Sequence, residues 1–112
     1  MKGALKKFQV YVPVASVASL EAAVFNAGGG KVSAYEECSF KTEGVGSFKG
    51  TEGTTPVIGK VGEREFVEEA KLEFIVPAFA QRAVEKAART AHPYEEMAYE
   101  WLAVENVATQ YG

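Results

Sequence analysis

The chain has 112 residues, of which 47% are apolar and 24% are charged, and its formal net charge is −3. These proportions predict one globular domain, residues 1–112 with a core over about 6–105, large enough to bury its own apolar residues. A net negative charge without clustered lysine and arginine argues against a nucleic-acid-binding surface. No apolar run approaches the roughly 18 residues of a membrane span. The basic start lacks the apolar stretch of a signal peptide, so we expect a cytoplasmic protein.

The first third of the chain predicts a strand followed by a helix. Apolar and polar residues alternate over 7–13, as in a strand with one buried face. Over 17–27 apolar residues recur at three- and four-residue steps, which is the pattern of an amphipathic helix. Ser16 is placed to cap its first turn, and three glycines at 28–30 end it.

The middle of the chain predicts short strands and a long loop. Residues 31–36 have the composition of a weak second strand, and further β-like pieces occupy 38–40 and 47–49. Residues 50–62 are rich in glycine and threonine, which is typical of a projecting hairpin loop.

The last third predicts a strand, a helix and a closing strand. Residues 65–77 form the longest strand candidate, with apolar side chains at the even positions. A helix over 79–91 ends at Pro93, because the residue before a proline is forced out of helical geometry. Residues 98–104 are apolar on both sides, so we expect this strand to be covered on both sides.

The two halves of the chain repeat. The tetrapeptides at 10–13 and 74–77 lie 64 residues apart, and each ends a strand and opens a helix. Two such units predict an α+β, ferredoxin-like βαββαβ domain, an antiparallel sheet with two helices on one face and an inserted glycine-rich hairpin. We expect the other face to carry Tyr11, Tyr99 and Trp101, and an apolar face of this kind favours a homo-oligomer.

Three stretches resemble a known family. They are Ala27 to Lys31; Cys38 to Phe40 with Thr42 to Phe48, Gly53, Pro56 and Ile58 to Gly59; and His92 to Tyr99. Together they resemble the CutA/PII-like domain inserted into NIF-three-like proteins, the GTP cyclohydrolase type-two homologues, in its short stand-alone YqfO-type form. The resemblance spans about residues 6–104 and implies a CutA/PII-like fold assembled as a homotrimer.

The same resemblance limits what activity can be inferred. In full-length members of the family, a dinuclear metal site is built by flanking domains from several histidine and acidic ligands. This chain has one histidine and resembles only the inserted domain. We therefore do not transfer a hydrolase or cyclohydrolase activity, and we assign no catalytic residue.

A metal site is one hypothesis for the conspicuous residues. His92 with Cys38 and a carboxylate of Glu95 or Glu96 would suit a soft divalent ion, since imidazole and thiolate favour copper or zinc. The resemblance of the His-Pro-Tyr-Glu run to CutA proteins, which are associated with divalent-cation tolerance, points the same way. The alternative is structural, because a histidine in the last turn of a helix interacts favourably with the helix dipole.

A small-ligand site is the other hypothesis. Gly44, Gly46, Gly53 and Gly59 belong to the glycine-rich hairpin, whose backbone N–H groups could bind an anion. Tyr94 could stack on a ligand ring, with a place in the core or an interface as the alternative. Turn geometry alone would also explain these glycines. The spacing fits neither the dinucleotide-binding fingerprint nor a P-loop.

Three functions follow from these hypotheses. The first is a non-enzymatic PII-like regulatory or small-ligand-binding module that works as a homo-oligomer. The second is a CutA-like protein that binds a divalent metal ion, the one cofactor considered. The third is a small hydrolase with Cys38 and His92 at an interface site, which has the least support because a nucleophile needs a base within reach.

Overall fold

The computed structural model describes residues 4–53 and 59–105. The elements in chain order are β1 (Leu5–Pro13), α1 (Val17–Asn26), β2 (Phe40–Lys49), β3 (Arg64–Pro77), α2 (Gln81–Ala91) and β4 (Tyr99–Val104). A short 3-10 helix precedes each α-helix, at Val14–Ser16 and Ala78–Ala80. The predicted βαββαβ order is therefore confirmed, as are the places of β1, β3 and both helices within about two residues.

The four strands form one antiparallel sheet in the order β2-β3-β1-β4. Within it Phe8 lies opposite both Phe74 and Trp101. Alternate residues of the two central strands, β1 and β3, are buried against the helices, so that one hydrophobic core lies between the sheet and the helix layer. Its largest fully buried side chains are Phe8, Phe74, Leu20, Leu72, Val10, Val12, Val24, Val76 and Val84.

The face that Tyr99 and Trp101 occupy differs from the prediction. Both lie on the helix side, opposite Val10 and Phe8 of β1, and the ring centroids of Trp101 and Phe8 are 4.5 Å apart. The expectation that they form an apolar outer face with Tyr11 is wrong, because the register of β4 turns them toward the core. The register instead gives the outer face a set of charged and polar residues, among them Lys7, Gln9, Lys71, Glu73 and Glu100.

Three local predictions are also corrected. Residues 31–36 form no strand; Val32 and Tyr35 exchange backbone hydrogen bonds of 3.0 and 2.9 Å in a tight turn. The β-like pieces at 38–40 and 47–49 are replaced by β2, which runs without interruption because it pairs with β3 along its whole length. Ser16 makes no side-chain cap, since the preceding 3-10 turn leaves it at φ −105° and ψ 5°, not in the extended conformation from which a cap reaches into the helix.

β4 is an outer strand of the sheet and is not covered on both sides as expected. Leu102 is 46% exposed, while the alternate residues Tyr99 and Trp101 are half-buried against the core.

Neither helix among the described residues is long and apolar enough to cross a membrane.

A hairpin formed by β2 and β3 extends past the rest of the sheet. Its strands pair from Phe40 with Glu73 to Lys49 with Arg64, whereas the pairing of β1 with β3 stops at Pro13 and Glu69. The five residues of β3 beyond that point correspond to about 17 Å of extra strand. The predicted projecting hairpin is thus present, and residues 54–58 at its end lie outside the described part of the chain.

Candidate functional site

The connection between α2 and β4 is organised by His92, which is 7% exposed. Its Nε2 lies 2.7 Å from the carbonyl oxygen of Tyr11, and its Nδ1 lies 3.1 Å from the backbone nitrogen of Tyr94. A backbone N–H can only donate, so Nδ1 accepts and Nε2 carries the proton that is donated to Tyr11. Both ring nitrogens of His92 are therefore engaged, and the side chain joins the end of α2 to β1.

Tyr94 lies between His92 and the hairpin. Its ring centroid is 5.2 Å from that of His92 and 6.4 Å from that of Phe48 on β2. Its hydroxyl oxygen is buried and has no hydrogen-bond partner among the described residues. Burial, together with the negative charge of Glu69, raises the pKa of Tyr94. A buried hydroxyl without a partner is unusual, because the lost hydration is not replaced.

Glu69 completes the group. Burial of its carboxylate raises the pKa of Glu69. The carboxylate of Glu69 lies against Gly46, where a Cβ atom would overlap it, so the glycine leaves the space in which the carboxylate sits. We call Gly46, Phe48, Glu69, His92 and Tyr94 the hairpin-base cluster.

The hairpin-base cluster joins three residues that the sequence singled out with two that it did not. Gly46, His92 and Tyr94 come from the two predicted sites. Glu69 and Phe48 were not among the candidate site residues. A glycine inside a strand marks a close approach of another group, so Gly46 was the one signal that could have pointed to a neighbour such as Glu69.

The proposed metal ligands do not converge within one chain. The N–H of Cys38 is bonded to the carbonyl of Gly30, whose own N–H is bonded to Ile75. His92 faces Tyr11, which lies opposite Lys71. Cys38 is thus linked to β3 at Ile75, and His92 at the level of Lys71. These two positions are four residues, or about 13 Å, apart along the strand, so the two side chains belong to different parts of the sheet.

Glu95 and Glu96 are exposed, and no three His, Cys, Asp or Glu side chains group as metal ligands within residues 4–53 and 59–105. A site that uses His92 and Cys38 together would therefore need residues from more than one copy of the chain, and it stays a prediction.

The remaining hairpin glycines lie in different surroundings. Gly44 is within β2, and a Cβ there would meet nothing within 4 Å. Gly53 and Gly59 have φ values of +94° and +81°, a region that favours glycine. Turn geometry thus accounts for these two, and their role in binding stays a prediction.

A second polar group fastens β4 to α2. Glu85 accepts hydrogen bonds from Trp101 Nε1 at 2.8 Å, from the Tyr99 hydroxyl at 3.1 Å and from Arg89 at 3.4 Å. Burial alone would raise the pKa of Glu85, but these hydrogen bonds and the charge of Arg89 hold it below its usual range. Tyr99 and Trp101 are thereby occupied by the fold itself.

Sequence comparison identifies relatives much longer than this chain. No protein-family model matches. The GTP cyclohydrolase 1 type 2 homolog of Bacillus subtilis is 44% identical over 108 residues, which is 96% of this chain and 29% of the relative. The homolog of Mycobacterium leprae is 43% identical over 100 residues, or 89% of this chain and 26% of the relative. The chain thus spans less than a third of the curated relatives it matches.

Structural comparison finds a NIF3-related protein and, at lower sequence identity, further proteins that share the fold. The crystal structure of a Bacillus cereus protein related to NIF3 matches 96% of this chain and 27% of its own, with a TM-score of 0.83 and 40% identity. CutA from Archaeoglobus fulgidus matches 91% of this chain and 85% of its own, with a TM-score of 0.64 and 12% identity. The B. subtilis GlnK–ATP complex matches 93% and 84%, with a TM-score of 0.61 and 14% identity. The predicted resemblance and the CutA/PII-like, ferredoxin-like fold are confirmed.

Proposed function

We propose that this homologue of one segment of the NIF-three-like proteins is a non-enzymatic PII-like module, which binds a small ligand and works as a homo-oligomer. The ligand would lie in a cleft between copies, against the β2–β3 hairpin and the hairpin-base cluster. The observation that carries the proposal is the buried Tyr94 hydroxyl, which has no partner among the described residues and lies beside the base of a hairpin that extends past the sheet.

The fold supports a role in ligand binding. GlnK has the same fold, and its structure is that of a complex with ATP. In the present chain, Tyr94 and Glu69 offer a hydroxyl and a carboxylate next to the hairpin, and burial raises the pKa of both. Polar groups in such surroundings gain from a partner that replaces the lost water.

The exposed apolar residues of the hairpin support self-association. Val45 and Phe66 are 70% and 69% exposed, and the register places them on the same side of the β2–β3 ladder. β2 and β4 are the two outer strands of the sheet, so each has an edge that is unpaired within the described chain. We propose a homotrimer, as the resemblance to CutA and PII-like proteins implies.

The absence of an enzymatic role is supported by the state of the one histidine. Both ring nitrogens of His92 are engaged, and the β3 residues nearest in the hydrogen-bond pattern to Cys38 and His92, Ile75 and Lys71, are about 13 Å apart. A general base needs a free lone pair within hydrogen-bond reach of its nucleophile. The alternative of a divalent metal site with His92, Cys38 and Glu95 or Glu96 requires a second copy.

The proposal is tested by calorimetric titration with ATP, the ligand in the GlnK structure, as the first probe. One variant replaces residues 50–63 by Asn-Gly, which joins the paired residues Lys49 and Arg64 through a two-residue turn and keeps the ladder below them. A second variant, Tyr94→Phe, removes one oxygen. We expect the wild type to bind, and each variant to bind at least about tenfold more weakly. Equal affinity in all three proteins would contradict the location of the site.

A further inference from the structure

The outer surface of α2 carries a groove that the proposed ligand site does not use. It has a volume of about 660 Å³, and its walls include Phe79, Arg82, Glu85, Lys86 and Arg89. The opposite face of the helix is buried through Val84 and Ala88. The groove therefore lies on the face of α2 that points away from the sheet.

Three cationic side chains follow one another along this groove. Arg82, Lys86 and Arg89 are spaced by four and three residues, so they are neighbours on the helix surface. Arg82 and Lys86 have no side-chain ion pair or hydrogen bond with any described residue. Like charges at this spacing repel each other, and an anionic partner would relieve that repulsion.

The one carboxylate in the groove is already neutralised from within. Glu85 is held by Trp101, Tyr99 and Arg89. Arg89 in turn lies over the ring of Tyr99, 4.9 Å from its centroid. The ion pair of Glu85 and Arg89 has no net charge, so the net positive charge of the groove comes from Arg82 and Lys86, and the pair fixes the guanidinium of Arg89 at the groove wall.

An aromatic side chain lies at one end of the row. Phe79 is 80% exposed, so its ring is open to contact with an apolar side chain of a partner. From Phe79 to Arg89 the helix advances about 15 Å. A single phosphate or carboxylate spans much less than that length, whereas four to five residues of extended peptide match it.

We propose that this groove, lined by Phe79, Arg82, Lys86 and Arg89, docks an acidic peptide segment of a partner protein that also carries an apolar side chain. The carboxylates would pair with the cationic row, and the apolar side chain would pack on Phe79. A nucleic acid fits less well, because it is longer than the groove and its phosphate backbone would also meet exposed acidic residues of the hairpin such as Glu63 and Glu68, whereas a peptide of this length meets the groove alone.

The test is a ¹⁵N NMR titration of the full chain with a synthetic Glu-Glu-Phe-Glu-Glu peptide and with its Lys-Lys-Phe-Lys-Lys counterpart. We expect shifts of the amide signals of Phe79, Arg82, Lys86 and Arg89 with the acidic peptide alone. The double variant Arg82→Glu/Lys86→Glu should bind it at least tenfold more weakly. The control Lys49→Glu/Lys60→Glu changes the net charge equally but lies on the hairpin side, and it should stay within about twofold of the wild type.

Phe79→Ala separates the apolar contact from the charges, and it should weaken binding several-fold while the spectrum stays that of a folded chain. The proposal is overturned if the acidic peptide causes no shifts in the groove or if the two charge-reversed variants bind equally. It is also overturned if Arg82→Glu/Lys86→Glu changes the oligomeric state of the free protein, because the row would then contact another copy. Tighter binding of a single-stranded oligonucleotide at the same residues would likewise overturn it.

Discussion

His92 shows at the scale of one residue what the sequence could and could not indicate. Its place at the end of a helix, before a proline, was predicted from local pattern alone. Its partner, the carbonyl of Tyr11, lies 81 residues away in sequence and depends on how β1 and α2 pack, which no local pattern contains. The structure supports the structural role for this side chain within one chain, since both nitrogens are used inside the fold.

Replacing His92 by alanine should destabilise the protein by about 1–3 kcal/mol, because the carbonyl of Tyr11 and the N–H of Tyr94 lose their partner in a buried place. The free energy of unfolding from urea titration would measure this. Glu96→Ala changes an exposed residue of the same connection and should stay within about 0.5 kcal/mol of the wild type. Equal stability of the two variants would show that the His92 hydrogen bonds do not stabilise the fold.

Two glutamates should give opposite pH dependences of stability. Burial raises the pKa of Glu69, so its charged form opposes folding, and stability falls as pH rises from the usual glutamate pKa through the raised pKa. Hydrogen bonds from Trp101 and Tyr99 outweigh burial and lower the pKa of Glu85. Glu85 therefore contributes stability above the usual glutamate pKa, and that stability is lost as pH falls through the lowered value.

The matched variants Glu69→Gln and Glu85→Gln test these opposite pH dependences, when the stability of each is compared with that of the wild type at pH 7 and at about pH 3. Glu69→Gln should be more stable than the wild type at pH 7, by less than about 1 kcal/mol. Glu85→Gln should be less stable at pH 7, and its deficit should shrink in acid. Urea unfolding at both pH values gives the comparison, and a change of the same sign in both variants at pH 7 would contradict the assigned causes.

At the scale of elements, the periodic pattern of apolar residues predicted the strands and helices that bury one face. β1, β3 and α2 alternate or repeat clearly, and each was placed within about two residues. β2 was divided into pieces because its residues are almost all exposed and Gly44 and Gly46 break the pattern. Its continuity comes from the ladder with β3. The face of Trp101 was misplaced for a similar reason, since a strand apolar on both sides does not reveal which side meets the core.

The glycine turn after α1 gives a prediction at this scale. Gly30 has φ +81°, and a Cβ there would lie 2.7 Å from the carbonyl oxygen of Cys38 and 2.9 Å from the ring of Phe25. Gly30→Ala should therefore cost about 1–3 kcal/mol of stability, measured by urea unfolding. The control is Gly44→Ala, since a Cβ there meets nothing within 4 Å. It should be neutral or slightly stabilising, and an equal loss in both variants would contradict the account.

At the scale of the whole molecule, the chain presents several surfaces that one copy leaves open. The hairpin projects with exposed Val45 and Phe66, and the sheet ends in two outer strands. The outer face of the sheet is more polar than predicted, with Lys7 and Glu73 paired at 2.9 Å. The hairpin and the strand edges, more than that face, are thus the surfaces that support assembly. The ligand site of the proposed function depends on this assembly, because the proposed cleft lies between copies of the chain.

The most direct test of this account is native mass spectrometry of the full chain, purified without a histidine tag and measured before and after treatment with a chelator. The account predicts a trimer whose mass the chelator does not change, with His92 held inside the fold. A trimer that carries stoichiometric metal, removed by the chelator, would favour the metal site with His92 and Cys38 instead. A monomer at micromolar concentration would contradict the central claim, since the proposed cleft between copies would then not exist.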